Sequence, residues 1–123
     1  MWPKEDIPDE AVLYFRIHKW AYHGGVLNPS VFVDQEGGMS VDWAKYSDAV
    51  ACRSRARNPG DNGVVSFNCG EVRQVPPLTV EHEPIQTGPE MNRAHSEVLG
   101  EKDEEVQVKL SRISRWEIYP PLT

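Results

Sequence analysis

The stretch from Ala11 to Lys19, AVLYFRIHK, constrains the fold of this chain more than any other segment. It is rich in β-branched and aromatic residues, which is typical of a β-strand. Successive side chains in a strand point to opposite faces, so the apolar and polar residues separate completely. The apolar face holds Leu13, Phe15 and Ile17, and the polar face holds Tyr14, Arg16 and His18. We predict that the first face is core and that the second lines a cleft.

Short strand patterns recur along the chain, with glycine or proline between them. Ser30–Asp34 and Met39–Trp43 flank a Gly-Gly turn, which predicts a hairpin. Val64–Val72 is typical of a strand, and Gly70 indicates a bulge within it. Val80–Gly100 predicts a second hairpin, because a turn-rich segment separates two extended stretches.

Two helices are predicted, and each follows a residue that can cap it. Ser47 precedes a helix over Asp48–Arg57, and Asp103 precedes a helix over Glu104–Arg115. Strands therefore outnumber helices. We expect an α+β fold, a single compact domain in which a mixed or antiparallel sheet of about six short strands packs with two helices.

Length and charge limit the architecture and the class of function. The 123 residues suit one domain, which we divide into an N-terminal arm (1–10), a single α+β domain (11–119) and a C-terminal tail (120–123). The net charge of −6 argues against bulk nucleic-acid binding. The acidic, proline-broken N-terminus does not resemble a signal peptide, and no apolar run is long enough for a membrane span. We expect a cytoplasmic protein without a membrane partner.

Cofactor and metal motifs are absent from the sequence. It contains no GxGxxG, Walker or GxSxG pattern, and we predict no cofactor. Cys52 and Cys69 form no CxxC pair and are expected to be reduced, unpaired and buried. We assign no metal, because the side chains of suitable chemistry match no ligand spacing. Those side chains are His18, Asp42, His82 and His95.

The candidate site residues lie on polar strand faces and in the last hairpin. Arg16 can hold a phosphate or carboxylate through two parallel hydrogen bonds, and an imidazole can transfer a proton near pH 7. If the hairpin pairs near the first strand, its histidines approach His18. We predict an Arg/His cleft whose catalytic residues are His18, His82 and His95, and whose substrate-binding residues are Tyr14, Arg16, Ser40, Asp42 and Asn92.

Several of these residues also have a structural interpretation. Arg16 can pair with an acid such as Asp42. His82 shares a strand face with Val80, and a histidine on an apolar face is often a hydrogen-bonded core residue. Asn92 can stabilise a tight turn through its side chain. Both interpretations stay open at the level of the sequence.

Four short motifs occur in a fixed order: Arg16-Ile-His18, Met39-Ser-Val-Asp42, Val80-Glu-His82-Glu-Pro84 and Asn92-Arg-Ala-His95. In this order the chain resembles a set of small uncharacterised bacterial proteins, over about residues 13–116. The resemblance implies a bacterial intracellular protein and no particular activity. A looser analogy is to ADP-ribosyltransferase-like domains, in which Arg16 and His18 would occupy the first strand and Ser40 a later one.

Two functions are compatible with these features. The first is a small enzyme that acts on a nucleotide or another phosphate-bearing substrate in the Arg/His cleft. The alternative is a non-catalytic intracellular protein-binding or regulatory module anchored by exposed Trp20, Tyr22 and Trp43. An enzyme needs Arg16 and at least two histidines in one concave pocket, whereas a binding module needs an exposed aromatic patch.

Overall fold

The chain alternates short strands with short helices, and the computed structural model describes residues 1–121. Three short 3₁₀ turns, at Lys19–Ala21, Pro29–Val31 and Pro59–Asp61, join some of these elements. The α-helices are α1 (Ala49–Ser54), α2 (Cys69–Arg73) and α3 (Glu104–Ile113). The strands are β1 (Val12–His18), β2 (Tyr22–His23), β3 (Val26–Leu27), β4 (Met39–Trp43), β5 (Asn62–Asn68), β6 (Thr79–His82), β7 (His95–Leu99) and β8 (Arg115–Ile118).

Six of these strands form one sheet in the order β6-β7-β4-β1-β5-β8, and every strand runs antiparallel to its neighbours. The strands β2 and β3 form a separate two-stranded ribbon. The predicted first strand lies inside the sheet, where β1 pairs with β5 from Val12 opposite Asn68 to His18 opposite Asn62. The α+β prediction is confirmed, and the sheet is antiparallel.

The apolar face of the sheet forms the core. The predicted core residues of β1 are buried there, and Phe32 packs beside them with its ring centroid 5.5 Å from that of Phe15. The helix α3 begins where predicted, because the Asp103 carboxylate accepts a hydrogen bond of 2.9 Å from the Val106 N–H. Val106 and Leu110 of α3 belong to the same buried cluster.

Helix α1 contacts β1 and β5 on the opposite, polar side of the sheet, where Arg16 donates to a carbonyl of this helix. Its N-cap is Asp48 rather than the predicted Ser47, because the Asp48 carboxylate accepts a hydrogen bond of 2.7 Å from the Ala51 N–H. The helix is also shorter than predicted and ends at Ser54. It covers part of the polar face and leaves the rest open.

The predicted first hairpin is not formed. The Asn28 side chain accepts a hydrogen bond of 3.0 Å from the Ser30 N–H and begins the 3₁₀ turn Pro29–Val31. This local side-chain bond competes with an extended strand at the same place. Segment Ser30–Asp34 is therefore not a strand, although its supposed partner Met39–Trp43 is.

The predicted strand Val64–Val72 ends early for the same kind of reason. The Asn68 side chain accepts a hydrogen bond of 3.0 Å from the Glu71 N–H and caps α2. Gly70, predicted to mark a bulge, lies inside this short helix. An apolar run cannot by itself distinguish a strand from a buried helical turn.

Residues near both ends of the described range, 1–121, pack on the domain. In the predicted N-terminal arm, Ile7 is buried in the core. The predicted last helix stops at Ile113, and Trp116 lies on the unpredicted strand β8 beside β5. Pro120 is buried, and residues 122 and 123 of the predicted tail lie outside the described residues.

Candidate functional site

A cavity of about 680 Å³ opens on the polar face of the sheet. Its floor comes from β1 and β4, and α1 forms one wall. The connection between β6 and β7, residues 83–94, forms another wall. All but one of the predicted site residues line it: Tyr14, Arg16, His18, Ser40, Asp42, Asn92 and His95. We call this cavity the polar cleft.

Strand register explains why these residues converge. Tyr14 lies opposite Asp42, and Asp42 lies opposite His95, so one row of side chains crosses three strands. Residues that face each other in neighbouring strands project from the same side of the sheet. Arg16 and His18 follow Tyr14 at intervals of two and therefore extend the same face.

His82 is the exception, and its predicted place in the cleft is wrong. It lies opposite Ser96, which in turn lies opposite Val41 of the core face. Its exposed fraction is 1%. The Nδ1 atom accepts a hydrogen bond of 3.1 Å from the Glu5 N–H, and Nε2 lies 2.7 Å from the Arg93 carbonyl oxygen. His82 thus ties the N-terminal segment to the last hairpin on the far side of the sheet.

His95 lies between a backbone carbonyl and a hydroxyl group. Its Nδ1 is 2.7 Å from the Glu83 carbonyl oxygen, and its Nε2 is 3.2 Å from Ser40 Oγ. A carbonyl oxygen can only accept, so Nδ1 carries the proton. In the neutral ring Nε2 is then an acceptor, and it faces the Ser40 hydroxyl.

His18 has the opposite arrangement. Its Nδ1 accepts a hydrogen bond of 3.2 Å from the Trp20 N–H, so Nε2 carries the proton of the neutral ring. The Trp20 ring stacks against the imidazole with centroids 6.0 Å apart. The two imidazoles that line the cleft therefore have complementary tautomers. His18 offers a donor, and His95 offers an acceptor.

Asp42 is a buried carboxylate whose partners come from both walls of the cleft. Arg55, the residue that follows α1, donates to its Oδ2 at 2.7 Å, and Asn92 donates to its Oδ1 at 2.9 Å. Asn92 also accepts a hydrogen bond of 3.0 Å from the Ala94 N–H, as in the turn predicted for it. The structural alternative drawn from the sequence paired Asp42 with Arg16, whereas the ion-pair partner of Asp42 in the structure is Arg55.

Arg16 forms no ion pair with any residue of 1–121. One guanidinium nitrogen donates to the Cys52 carbonyl at 3.1 Å. A guanidinium has five N–H donors, so most remain available to a ligand.

Cys52 itself contributes little reactivity, because burial, with Asp42 nearby, raises the pKa of its thiol to about 12. Both cysteines are free and buried, which confirms the prediction of unpaired thiols.

Tyr14 adds a neutral donor to the same floor. Burial, with a contribution from the Glu117 carboxylate, raises the pKa of its phenol, so the hydroxyl keeps its proton.

The sequence analysis did not predict Gln35 and Glu90, which line the cleft from connecting segments. Strand alternation gives no information about side chains in such segments, so only the fold brings them to the site.

Of the four candidate metal ligands, His82 lies on the far side of the sheet from the other three. Across residues 1–121, no group of three or more His, Cys, Asp and Glu side chains is placed to hold a metal ion. In the same part of the chain, no helix has the length and apolarity to cross a membrane.

Comparison of the chain with protein-family models, curated proteins and solved structures gave no match. The resemblances drawn from short motifs therefore stay predictions.

Proposed function

We propose that this protein is a small enzyme that acts on a nucleotide or another phosphate-bearing substrate in the polar cleft. The observation that carries the proposal is that the Arg16 guanidinium lines the cleft and forms no ion pair with any described residue. Arginine binds phosphate through two parallel, charge-assisted hydrogen bonds. An anion of this kind would complete the hydrogen bonding of Arg16.

The second cleft arginine supports the same proposal by contrast. Arg55 is already neutralised by Asp42 at 2.7 Å, so this pair adds no net charge to the cleft. Glu90 brings one negative charge to the cleft lining. Arg16 is consequently the cleft arginine whose charge is not paired with a described residue, and Glu90 disfavours highly charged anions on its own side of the opening.

The histidines supply chemistry that a simple binding pocket would not require. His18 offers an N–H to a substrate oxygen, and His95 offers a lone pair that can take a proton. A donor and an acceptor in one concave site are the elements of general acid–base catalysis. This favours an enzyme over a passive phosphate-binding module.

The alternative, a binding module with three aromatic anchors, has less support. Trp20 is 66% exposed, but Trp43 is only 4% exposed and packs in the core. Tyr22 is half-buried, and its ring contacts Trp116 with centroids 4.8 Å apart. A single exposed tryptophan is a small part of the patch that a protein interface requires.

Titration calorimetry with inorganic phosphate, AMP and ADP tests the proposal. We expect binding by the parent protein and a loss of about 10-fold or more in affinity for Arg16→Gln, since hydrogen bonds to charged groups contribute about 1.5–3 kcal/mol. Arg73→Gln is the matched control, because Arg73 pairs with the exposed Asp9 outside the cleft. Equal affinities of the Arg16 and Arg73 variants, or no binding by the parent, would contradict the proposal.

Turnover is tested separately from binding. A panel of phosphomonoesters and nucleotides is incubated with the parent protein, and released phosphate is measured. We expect release that depends on both Arg16 and His95 and that is unchanged in Arg73→Gln. Tight binding without release from any member of the panel would favour a binding protein instead.

A further inference from the structure

The Ser40 hydroxyl and the His95 imidazole contact each other in the polar cleft. They lie on the adjacent strands β4 and β7, where Ser40 faces Glu97 and His95 faces Asp42. Ser40 and His95 are therefore diagonal neighbours on one sheet face, close enough for their side chains to meet. The Ser40 Oγ–His95 Nε2 distance is 3.2 Å, at the upper end of the range for a serine activated by a base.

The backbone holds His95 in the tautomer that such a base needs. The ring donates from Nδ1 to the Glu83 carbonyl at 2.7 Å. The same two residues are joined by a main-chain bond, in which the Glu83 N–H donates to the His95 carbonyl at 2.9 Å. The carbonyl of Glu83 thus orients the imidazole, and Nε2 stays available to accept the hydroxyl proton.

Other cleft elements hold Ser40 in place. The Ser40 N–H donates to the Gln35 side chain at 2.8 Å, and β4 is paired on both sides. The serine Ser54 differs in this respect. It also lines the cleft, but its hydroxyl donates to the Ala51 carbonyl at 2.7 Å, which is no base. The two serines therefore differ in their hydrogen-bond partners: Ser40 contacts an imidazole that can accept its proton, and Ser54 contacts a backbone carbonyl.

We infer that Ser40 is the nucleophile of the cleft and that His95 is its general base, with phosphomonoesters as the substrate class. The substrate class rests on the function proposed above. Ser40 Oγ forms a bond to phosphorus while the bond from phosphorus to the leaving alkoxide breaks, and the Ser40 proton moves to His95 Nε2. The alkoxide takes that proton and leaves as an alcohol.

A water molecule completes the reaction. It gives a proton to His95 Nε2, attacks the phosphorus of phosphoserine and displaces Ser40 Oγ, which regains the proton from the imidazole. Ester and water become alcohol and inorganic phosphate. Arg16 and the His18 N–H line the same cavity and can hydrogen-bond the phosphoryl oxygens during both steps.

Diisopropyl fluorophosphate tests the pair without knowledge of the natural substrate. Its attack by an activated serine forms an O–P bond, breaks the P–F bond and releases fluoride. We expect one adduct per chain by intact mass, located on Ser40 by peptide mapping. Ser40→Ala removes the adduct. His95→Gln slows its formation by about 100-fold or more, because a general base contributes about 10²–10⁴ in rate.

Ser54→Ala is the matched control and is labelled at the parental rate, since Ser54 has no part in the proposed reaction. No adduct on the parent protein, an adduct elsewhere than Ser40, or parental labelling of His95→Gln would overturn the inference. Labelling of the parent protein alone decides whether an adduct forms and whether it lies on Ser40, even if a variant does not fold.

This experiment is independent of the phosphate-binding test. The probe carries no charge, so its reaction does not require an anion site. Labelling at Ser40 without phosphate binding would retain the nucleophile and reject the proposed substrate class. Phosphate binding by Arg16 without labelling would retain the anion site and reject Ser40 as nucleophile.

Discussion

Asn92 Nδ2 donates a hydrogen bond of 2.9 Å to Asp42 Oδ1, across 50 positions of the sequence. Together with the bond from Arg55 to the other oxygen, it joins the two walls of the cleft through one buried carboxylate. A buried charge with partners on both oxygens holds its neighbours in fixed positions. Asp42 is thus better explained as a support of the cleft than as a substrate ligand.

Replacing Asp42 by asparagine should destabilise the fold by about 1–3 kcal/mol, because Arg55 loses its charged partner and Asn92 meets a second amide. The estimate is moderate, since the Arg55 side chain is 32% exposed and water can partly compensate. Urea unfolding measures the change. Asp9→Asn is the control, because the Asp9 side chain is 74% exposed and its pair with Arg73 should contribute less than about 1 kcal/mol. Equal stabilities of the two variants would contradict the assigned role.

His82 and His95 should respond oppositely to alanine substitution. His82→Ala should lower the free energy of unfolding by about 2–4 kcal/mol, because it leaves a cavity and unpaired backbone groups, and should leave phosphate affinity unchanged. His95→Ala should abolish turnover at a cost of about 1 kcal/mol in stability. Denaturant unfolding and phosphate release measured on both variants test this. A stable His82→Ala that loses turnover would reverse the assignment.

Cys52 should make stability depend on alkaline pH. An unfolded cysteine loses its proton near pH 8.5, whereas burial holds the pKa of folded Cys52 at about 12. Between these values the unfolded chain binds fewer protons than the folded one, so stability falls as pH rises. The slope from this group is at most about 1.4 kcal/mol per pH unit. Urea unfolding at pH 8, 9 and 10 should show a steeper loss for the parent than for Cys52→Ala, and equal slopes would refute the prediction.

Gly63 should not tolerate a side chain. A Cβ at this position would lie 2.4 Å from the Ile118 carbonyl oxygen and 2.6 Å from the Pro120 nitrogen, both backbone atoms. Gly63→Ala should therefore separate β5 from the C-terminal strand, at a cost of about 1–3 kcal/mol. Gly60→Ala is the control, because no heavy atom lies within 4 Å of its Cβ position. Thermal melts of both variants decide the point. An unaltered melting temperature for Gly63→Ala would show that this strand contact is dispensable.

Local patterns in the sequence were enough to predict the elements whose cause is local. The alternation of β1 separated core from polar residues correctly, since a strand leaves no other arrangement. Asp103 marked the start of α3, because a cap acts within one helical turn. Most of the predicted site residues that line the cleft were found for the same reason, since they occupy the polar faces of strands.

The errors lie where a side chain competes with strand pairing or where partners are distant. Asn28 and Asn68 each cap a helical turn inside stretches that look extended. Strand β8 forms because β5 presents an edge to it, which no local pattern of residues 115–118 reveals. The last helix was accordingly predicted to run to Arg115, although Arg115 begins this strand.

The side chains that share a face within one strand follow from the local backbone, because alternation is a property of every strand. Which faces meet depends on the register between strands, and this register is set by the tertiary fold. His82 and His95 belong to one predicted hairpin, yet the pairing of β6 with β7 places His82 in the core and His95 in the cleft. A shift of one residue in a strand's register exchanges its two faces, so the membership of the cleft could be established only in three dimensions.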